Sequence, residues 1–251
     1  MTNTLPQGVF NSPQPAEGFP STDGPTPYGT APLRTIIFAN GPLPDLAGAR
    51  RTLAPTDRLI AADGGLRHLR ALGLTPHLLI GDLDSVTPEE TAAARAAGVT
   101  VEQHPARKDE TDLELALRRA CADGAQDVLI FGALGGRWDQ TLANLLLLAH
   151  PAYRTVRLRL LDGAQQIYLV QGTTVIEGRP GDTVSLVPLS GDAHGVTTTG
   201  LEYPLAEGTL PFGGTLGISN VLLETEATVT VASGLVACIV LGQDNVKGNE
   251  G

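Results

Sequence analysis

Arg58-Leu59-Ile60-Ala61-Ala62-Asp63-Gly64-Gly65 opens the stretch that decides the architecture, and His77-Leu78-Leu79-Ile80-Gly81-Asp82-Leu83-Asp84-Ser85 closes it. Each begins as an apolar run of strand length and ends in Gly and Asp, the residues of a tight exit turn. Between them Gly64–Leu72 has helical character and leads into ordinary turn chemistry at Leu74-Thr75-Pro76. Strand, helix, strand over so few residues is the unit of a parallel sheet, because parallel neighbours need a crossover connection.

The unit repeats outward in both directions. Strands are expected at Thr35–Ala39, Arg58–Ala62, His77–Ile80, Val99–Glu102, Asp127–Phe131 and Val156–Leu161. Helices are expected at Gly64–Leu72, Pro88–Ala97, Asp112–Ala122 and Trp138–Ala149. This alternation predicts an α/β fold, a parallel sheet layered between helices. Ligands of such sheets bind beyond the carboxyl ends of the strands. There the sequence places Asn40-Gly41, Asp63-Gly64-Gly65, Gly81 to Ser85, Lys108-Asp109-Glu110-Thr111-Asp112, and Gly132 to Asp139.

After about Gln165 the texture changes to short β-branched runs split by Gly, Pro and Asp, such as Thr173–Ile176, Thr183–Val187, Gly195–Thr198, Ala227–Val231 and Leu235–Leu241. They predict a small β-sandwich or barrel packed against the first domain. Three segments result: a Pro/Gly-rich tail over residues 1–33, expected to be flexible, an α/β domain over 34–164, and an all-β domain over 165–251.

Totals exclude several function classes. A net charge of −10 argues against a nucleic-acid or anionic-membrane surface, which needs a basic footprint. The only lysines, Lys108 and Lys247, lie in no Gly-x-x-x-x-Gly-Lys-Ser/Thr run, so phosphate is held without a P-loop. Cys121 and Cys238 have no zinc-binding spacing and read as small buried hydrophobes. No apolar stretch reaches membrane-spanning length and no signal-peptide pattern opens the chain, which predicts a cytoplasmic protein.

The polar strand ends carry the chemistry. Asp82 and Asp84 stand two apart, so in extended backbone they share a face and can approach one cation; the bland alternative is a polar turn that caps the next helix. Hard oxygen ligands suit Mg²⁺. Asp109 and Asp112 stand three apart at a helix start and could reach the same ion, or could stabilise the helix terminus, with Thr111 or Asp109 as its cap. Lys108 beside them could neutralise a phosphate. In Gly132 to Gln140, glycines let backbone amides approach an anion at a helix start, and Arg137 can grip phosphate oxygens. Trp138, the only Trp, serves either this loop or the core beneath it. The residues alone leave open a Mg²⁺-dependent enzyme of phosphoryl or pyrophosphoryl transfer and a non-catalytic nucleotide-binding regulatory module.

Six motifs in order, Ala39-Asn40-Gly41, Ala62 to Gly65, Gly81 to Ser85, Lys108 to Asp112, Gly135 to Gln140, and Gly214-Thr215-Leu216-Gly217-Ile218-Ser219-Asn220, resemble the thiamine pyrophosphokinase (thiamine diphosphokinase) family over about Arg34 to Leu241. The resemblance implies transfer of the pyrophosphoryl group of ATP to thiamine, giving thiamine diphosphate and AMP, by a homodimer of α/β and β-sandwich domains. It implies Mg²⁺ at Asp82, Asp84 and Asp112, and catalysis by these with Arg137. ATP would be bound by Asn40, Asp63, Gly64, Lys108, Asp109, Gly136, Arg137, Asp139 and Gln140. Ser219 and Asn220 would bind thiamine where two subunits meet. A pyrophosphokinase for another hydroxyalkyl heterocycle, such as a pterin, is the alternative enzyme. Two features depart from the pattern: Leu216 stands where relatives often carry a basic residue, and the β-rich half has no Trp to stack on the vitamin, leaving Phe212 or Tyr203 for that role.

Overall fold

A computed structural model describes residues 33–243; the predicted N-terminal tail and Lys247 lie outside them, apart from Leu33 in the first strand. The first half alternates as expected: β1 (Leu33–Phe38), α1 (Leu46–Thr52), β2 (Arg58–Ala62), α2 (Leu66–Ala71), β3 (Leu78–Gly81), α3 (Pro88–Ala96), β4 (Thr100–Gln103), α4 (Asp112–Ala122), β5 (Ala125–Phe131), α5 (Trp138–Leu147) and β6 (Arg157–Asp162). The strands lie parallel in the order β6-β5-β1-β2-β3-β4.

Strand alternation sends side chains to two apolar layers. Ile37, Ile60, Ile80, Val128 and Ile130 pack with Leu113, Ala116 and Leu117 of α4. Ile36, Phe38, Leu59, Leu79 and Leu129 pack with Ala49 of α1, Leu66 and Leu69 of α2, and Ala94 of α3. Each such Ile or Leu removed from water stabilises the fold by about 1.5–3 kcal/mol, and because both faces are covered at the sheet's centre, β2 and β3 read as apolar runs. Helix α1, not foreseen in the sequence, is short and contains Gly48; it is fixed by Asp45, whose side chain accepts from Gly48 N at 2.7 Å.

The second half adds β7 (Gln165–Val170), β8 (Thr173–Glu177), β9 (Thr183–Pro188), β10 (Ala193–Thr199), β11 (Gly208–Leu210), β12 (Asn220–Val221), β13 (Glu226–Thr230) and β14 (Val236–Leu241). A sandwich forms as expected, but one of its layers is not separate from the α/β half. The order β12-β9-β14-β7 continues directly from β6, making one sheet of ten strands, while β11-β10-β13-β8 is the second layer. The join is a hairpin: Asp162 pairs with Gln165 across Gly163-Ala164, with Gly163 at φ 58°. A Gly in the left-handed region supplies the reversal of a two-residue hairpin. Between the layers lie Tyr168, Val184, Leu186, Val236 and Cys238 from the long sheet and Ile176, Val196, Ala227 and Val229 from the short one.

The two ends of the parallel strands use charge differently. At the amino-terminal end Asp57, Asp123 and Asp127 are consumed in ion pairs with Arg34, Arg58 and Arg159. At the carboxyl end the acidic residues converge on a cleft. No helix among the described residues is long and apolar enough to cross a membrane.

Candidate active site

The cleft, about 560 Å³, is lined at its floor and walls by Asn40, Asp63, Asp82, Asp84, Lys108, Asp112, Gly136, Arg137 and Gln140, all from the carboxyl end of the parallel strands. Oxygens of Asp63, Asp82 and Asp112 lie within 4.8 Å of one another. Asp63 follows β2, Asp82 follows β3, and Asp112 is the first residue of α4, whose N-cap Thr111 accepts from Glu114 N at 3.2 Å. Gly81 makes this convergence sterically feasible. It has φ 148°, and a Cβ there would lie 3.1 Å from Asp112 Cγ, Asp112 Oδ1 and Asp63 Cβ.

Asp84 lines the cleft but stands outside that trio. The premise of extended backbone fails here because Leu83 adopts φ 62°, turning the chain so that Asp84 N donates to Asp82 Oδ1 at 3.2 Å. Asp84 instead accepts from Ser85 Oγ at 3.0 Å. Asp63, itself at φ 47°, takes the place beside Asp82 and Asp112. Left-handed backbone at a non-glycine residue is strained and gathers at functional sites. The shared helical face expected for Asp109 and Asp112 is absent too, because Thr111 caps α4 and leaves Asp109 before the helix, exposed and away from the cleft lining.

Lys108 is nearly enclosed, its side chain 11 % exposed, with Nζ 2.7 Å from Asp112 Oδ1 and 3.7 Å from Asp82 Oδ2. Burial alone would lower its pKa; the hydrogen bond to Asp112 and the charges of Asp112 and Asp82 outweigh that and raise it. Ser85, quoted in the motif but given no role there, links the walls. Its Oγ accepts from Asn40 Nδ2 at 2.9 Å, and its N donates to Asp63 Oδ1 at 3.3 Å.

Opposite the carboxylates lies the glycine loop between β5 and α5. Gly41 N donates to Gly132 O at 2.8 Å, and a Cβ on Gly41 would sit 2.3 Å from that oxygen, so the Asn40 turn and the glycine loop must approach as bare backbone. From below, Arg67 donates to Asn40 O and to Gly41 O, and His68 Nε2 lies 2.9 Å from Gly41 O. Burial is the main cause that lowers the His68 pKa, with the Arg67 charge adding to it against the Gly41 hydrogen bond. Asn144, which the sequence did not single out, donates from Nδ2 to Ala133 O at 2.7 Å and steadies the loop from α5. Gly64 is buried against Asn40 behind the cleft wall, so its part is to let the turn close.

Arg137 reaches the cleft, but Asp139 does not line it. Asp139 pairs with Arg137, Nε to Oδ1 at 3.1 Å plus a second, shorter contact; this hydrogen bonding raises the Arg137 pKa and lowers that of Asp139. It therefore orients the guanidinium. Trp138 is no core residue: it is 81 % exposed and begins an outward stripe on α5 with Leu142 and Leu146.

Ser219 and Asn220 lie in the β-rich half, and no residue of that half lines the cleft. Ser219, at φ 59°, donates its N to Ser185 Oγ at 3.0 Å. Asn220 Oδ1 accepts from Tyr203 N and Val221 N at 3.0 and 2.9 Å, and its Nδ2 donates to Tyr203 O at 2.8 Å. Its amide thus braces the backbone at Tyr203, a residue 63 % exposed. Phe212, Leu216, Ile218 and Leu223 are exposed in the same stretch of chain.

Residues 49–160 match the family described as thiamin pyrophosphokinase, catalytic domain, and residues 173–236 match thiamin pyrophosphokinase, vitamin B1 binding domain. The chain is 35 % identical over 215 residues to a thiamine pyrophosphokinase of Bacillus subtilis, covering 82 % of this chain and 98 % of the relative. It is 28 % identical over 177 residues to thiamine pyrophosphokinase 1 of Oryza sativa, covering 66 % of each. Its fold superposes on the crystal structure of the Bacillus subtilis protein with a TM-score of 0.73 at 32 % identity, covering 84 % of this chain and 99 % of that one. The Geobacillus thermodenitrificans thiamin pyrophosphokinase structure gives 0.73 at 28 % identity, with 85 % and 99 % covered.

Proposed function

The chain belongs to the thiamine pyrophosphokinase family, and from that premise we propose how its cleft carries out the reaction. The protein is an enzyme that transfers the pyrophosphoryl group of ATP to thiamine, releasing AMP. The observation that carries the mechanism is the convergence of Asp63, Asp82, Asp112 and Lys108 opposite the glycine loop and Arg137 in one cleft.

Asp82 and Asp112, with Asp63, would hold Mg²⁺, and Asp84 stands at the same wall. Three carboxylates suit a hard cation that takes oxygen ligands, and the Lys108 ammonium already marks the position as one where positive charge is stabilised. Bound there, Mg²⁺ neutralises phosphate oxygens and makes the phosphorus more electrophilic.

The protein's own groups position the reactants. Backbone amides of Gly135 and Gly136 and the amino end of α5 favour the phosphate chain, Arg137 is aimed by Asp139, and Gln140 and Asn40 line the flanks. The thiamine hydroxyl oxygen forms a bond to the β-phosphorus in line with the oxygen bridging to the α-phosphorus. That bridge breaks with its electron pair, leaving on AMP, and the hydroxyl proton passes to solvent or to a cleft carboxylate. Such a transition state is stabilised mainly by orientation and neutralised charge.

In this reading residues 34–164 are the nucleotide and metal half and 165–251 the acceptor half, with Ser219 and Asn220 shaping the vitamin's site and Tyr203 or Phe212 offering a ring. That half reaches the chemistry through a homodimer. Support comes from the exposed apolar residues Trp138, Leu142 and Leu146 on α5 and Tyr203, Phe212, Leu216 and Ile218 in the β-rich half, surfaces a second copy would cover. A cytoplasmic location fits the need for ATP.

Purified protein given ATP, Mg²⁺ and thiamine should produce AMP and thiamine diphosphate in equal amounts. ADP as the nucleotide product, or equal turnover of a pterin alcohol, would defeat the proposal.

A further inference from the structure

We propose that the Lys108 ammonium and a divalent cation are alternative occupants of the Asp63–Asp82–Asp112 cluster, so that Lys108 is an internal counterion that metal loading releases toward the nucleotide phosphates. This rests on reading the cleft as the metal and nucleotide site.

Three carboxylates whose oxygens lie within 4.8 Å repel one another in a partly enclosed site when ionised, and a nearby positive charge relieves that repulsion. Lys108 supplies it, with contacts of 2.7 Å to Asp112 and 3.7 Å to Asp82. The choice of residue is informative. The side-chain ion pairs at Arg34, Arg51, Arg58, Arg70, Arg118, Arg119, Arg137 and Arg159 all use arginine. Lys108, the only lysine among the described residues, is used at this one cluster.

Arginine binds carboxylates through a planar fork, which suits permanent links such as Arg34 to Asp57, where both guanidinium and carboxylate are doubly engaged. A lysine is a point charge on a flexible stem, able to let go of one oxygen and take another. Lys108 also lies in the irregular segment between β4 and α4, outside any ladder, and on the cleft wall. Once displaced it remains beside the space the phosphates would fill. Metal alone must evict the ammonium without giving it a new partner, whereas metal with nucleotide gives it phosphate oxygens. The two ligands therefore help each other bind, and by linkage each does so to the same degree.

The test is Mn²⁺ binding by electron paramagnetic resonance, alone and with α,β-methylene ATP. Lys108→Met should bind Mn²⁺ alone roughly tenfold more tightly than the unaltered protein, a change equal to about 1.4 kcal/mol, and gain less from the analogue. Lys108→Arg, which keeps the charge, should bind Mn²⁺ no more tightly than the unaltered protein. In unaltered protein labelled with ¹³C at the lysine ε-carbon, Mg²⁺ should shift one of the two signals and leave the other. Mn²⁺ binding to Lys108→Met that is no tighter than normal would overturn the exchange, as would metal binding that moves neither lysine signal. If Lys108→Met does not fold, the signals of the unaltered protein decide. If neither the unaltered protein nor Lys108→Met binds Mn²⁺, the metal reading itself falls, and the exchange with it.

Discussion

At the carboxyl ends of β2, β3 and β5, polar side chains face one another across open space, while in the β-rich half the Asn220 amide is turned onto its own chain. Asp63, Asp82, Asp112 and Lys108 form a charged cluster on the cleft. Asn220 commits both ends of its amide to Tyr203 and Val221, and Ser219 is tied through its backbone to Ser185. One chain therefore brings the charged cluster together by itself, whereas Asn220 braces an exposed stretch of backbone. Changes on the first side should reach turnover itself; changes on the second should reach recognition of the vitamin.

The largest effect should follow from Asp112→Asn, which removes a carboxylate from the cluster and the partner of Lys108. Turnover should fall by roughly a thousandfold or more, while circular dichroism and melting remain near normal. Retained activity would break the assignment of the phosphate side. Gly81→Ala introduces a methyl 3.1 Å from Asp112 and Asp63 at a φ of 148°. A loss of about a hundredfold is expected, with weaker Mn²⁺ binding as the independent reading; normal metal affinity would show that the cluster tolerates displacement.

Asn220→Ala sharpens the other half of the comparison. With the Tyr203 backbone unbraced, kcat/KM for thiamine should fall roughly ten- to hundredfold while KM for ATP is little changed. Steady-state kinetics varying each substrate separates these, and a matching rise in KM for ATP would erase the division between halves.

The smallest effect concerns His68 beneath the Asn40 turn. Its folded pKa is lowered chiefly by burial, so the folded protein favours neutral imidazole. The unfolded chain therefore takes up the proton first: stability is intact above the ordinary imidazole value near 6.5 and declines as pH falls below it toward the folded value. His68→Gln should flatten denaturant-derived stability over that window by at most about one proton's worth of slope. An unchanged slope would show that His68 does not report on the turn.

The central strands were legible because both faces of the sheet are buried there, so β2 and β3 appear as apolar runs, while the edge strand β4 and the alternating β6 are not such runs; the bounds of Arg58–Ala62 and Asp112–Ala122 coincide with the expectation, and other boundaries shift by one or two residues. The strand-end rule then found the cleft. What escaped notice depends on backbone conformation that side-chain chemistry does not encode. Nothing about Leu83 announces a left-handed turn, yet that turn carries Asp84 away from the trio that Asp63 completes. Either Thr111 or Asp109 could have capped α4, and the choice of Thr111 leaves Asp109 outside the helix. At Asp162-Gly163-Ala164-Gln165 the sequence texture changes, and the same four residues form the hairpin that joins the two halves into one sheet, since a Gly-containing pair between two runs is also a hairpin signal.

The position of β14 bears on how the protein is made. This strand, the last among the described residues, does not lie at an edge of the long sheet but is inserted between β7 and β9, paired with each over six residues. During synthesis β7 and β9 must therefore wait, each with a free edge, until Val236–Leu241 leaves the ribosome. A ribosome that stops a few residues short of Val236 releases a polypeptide with an open seam in the middle of its sheet, prone to pair with other chains.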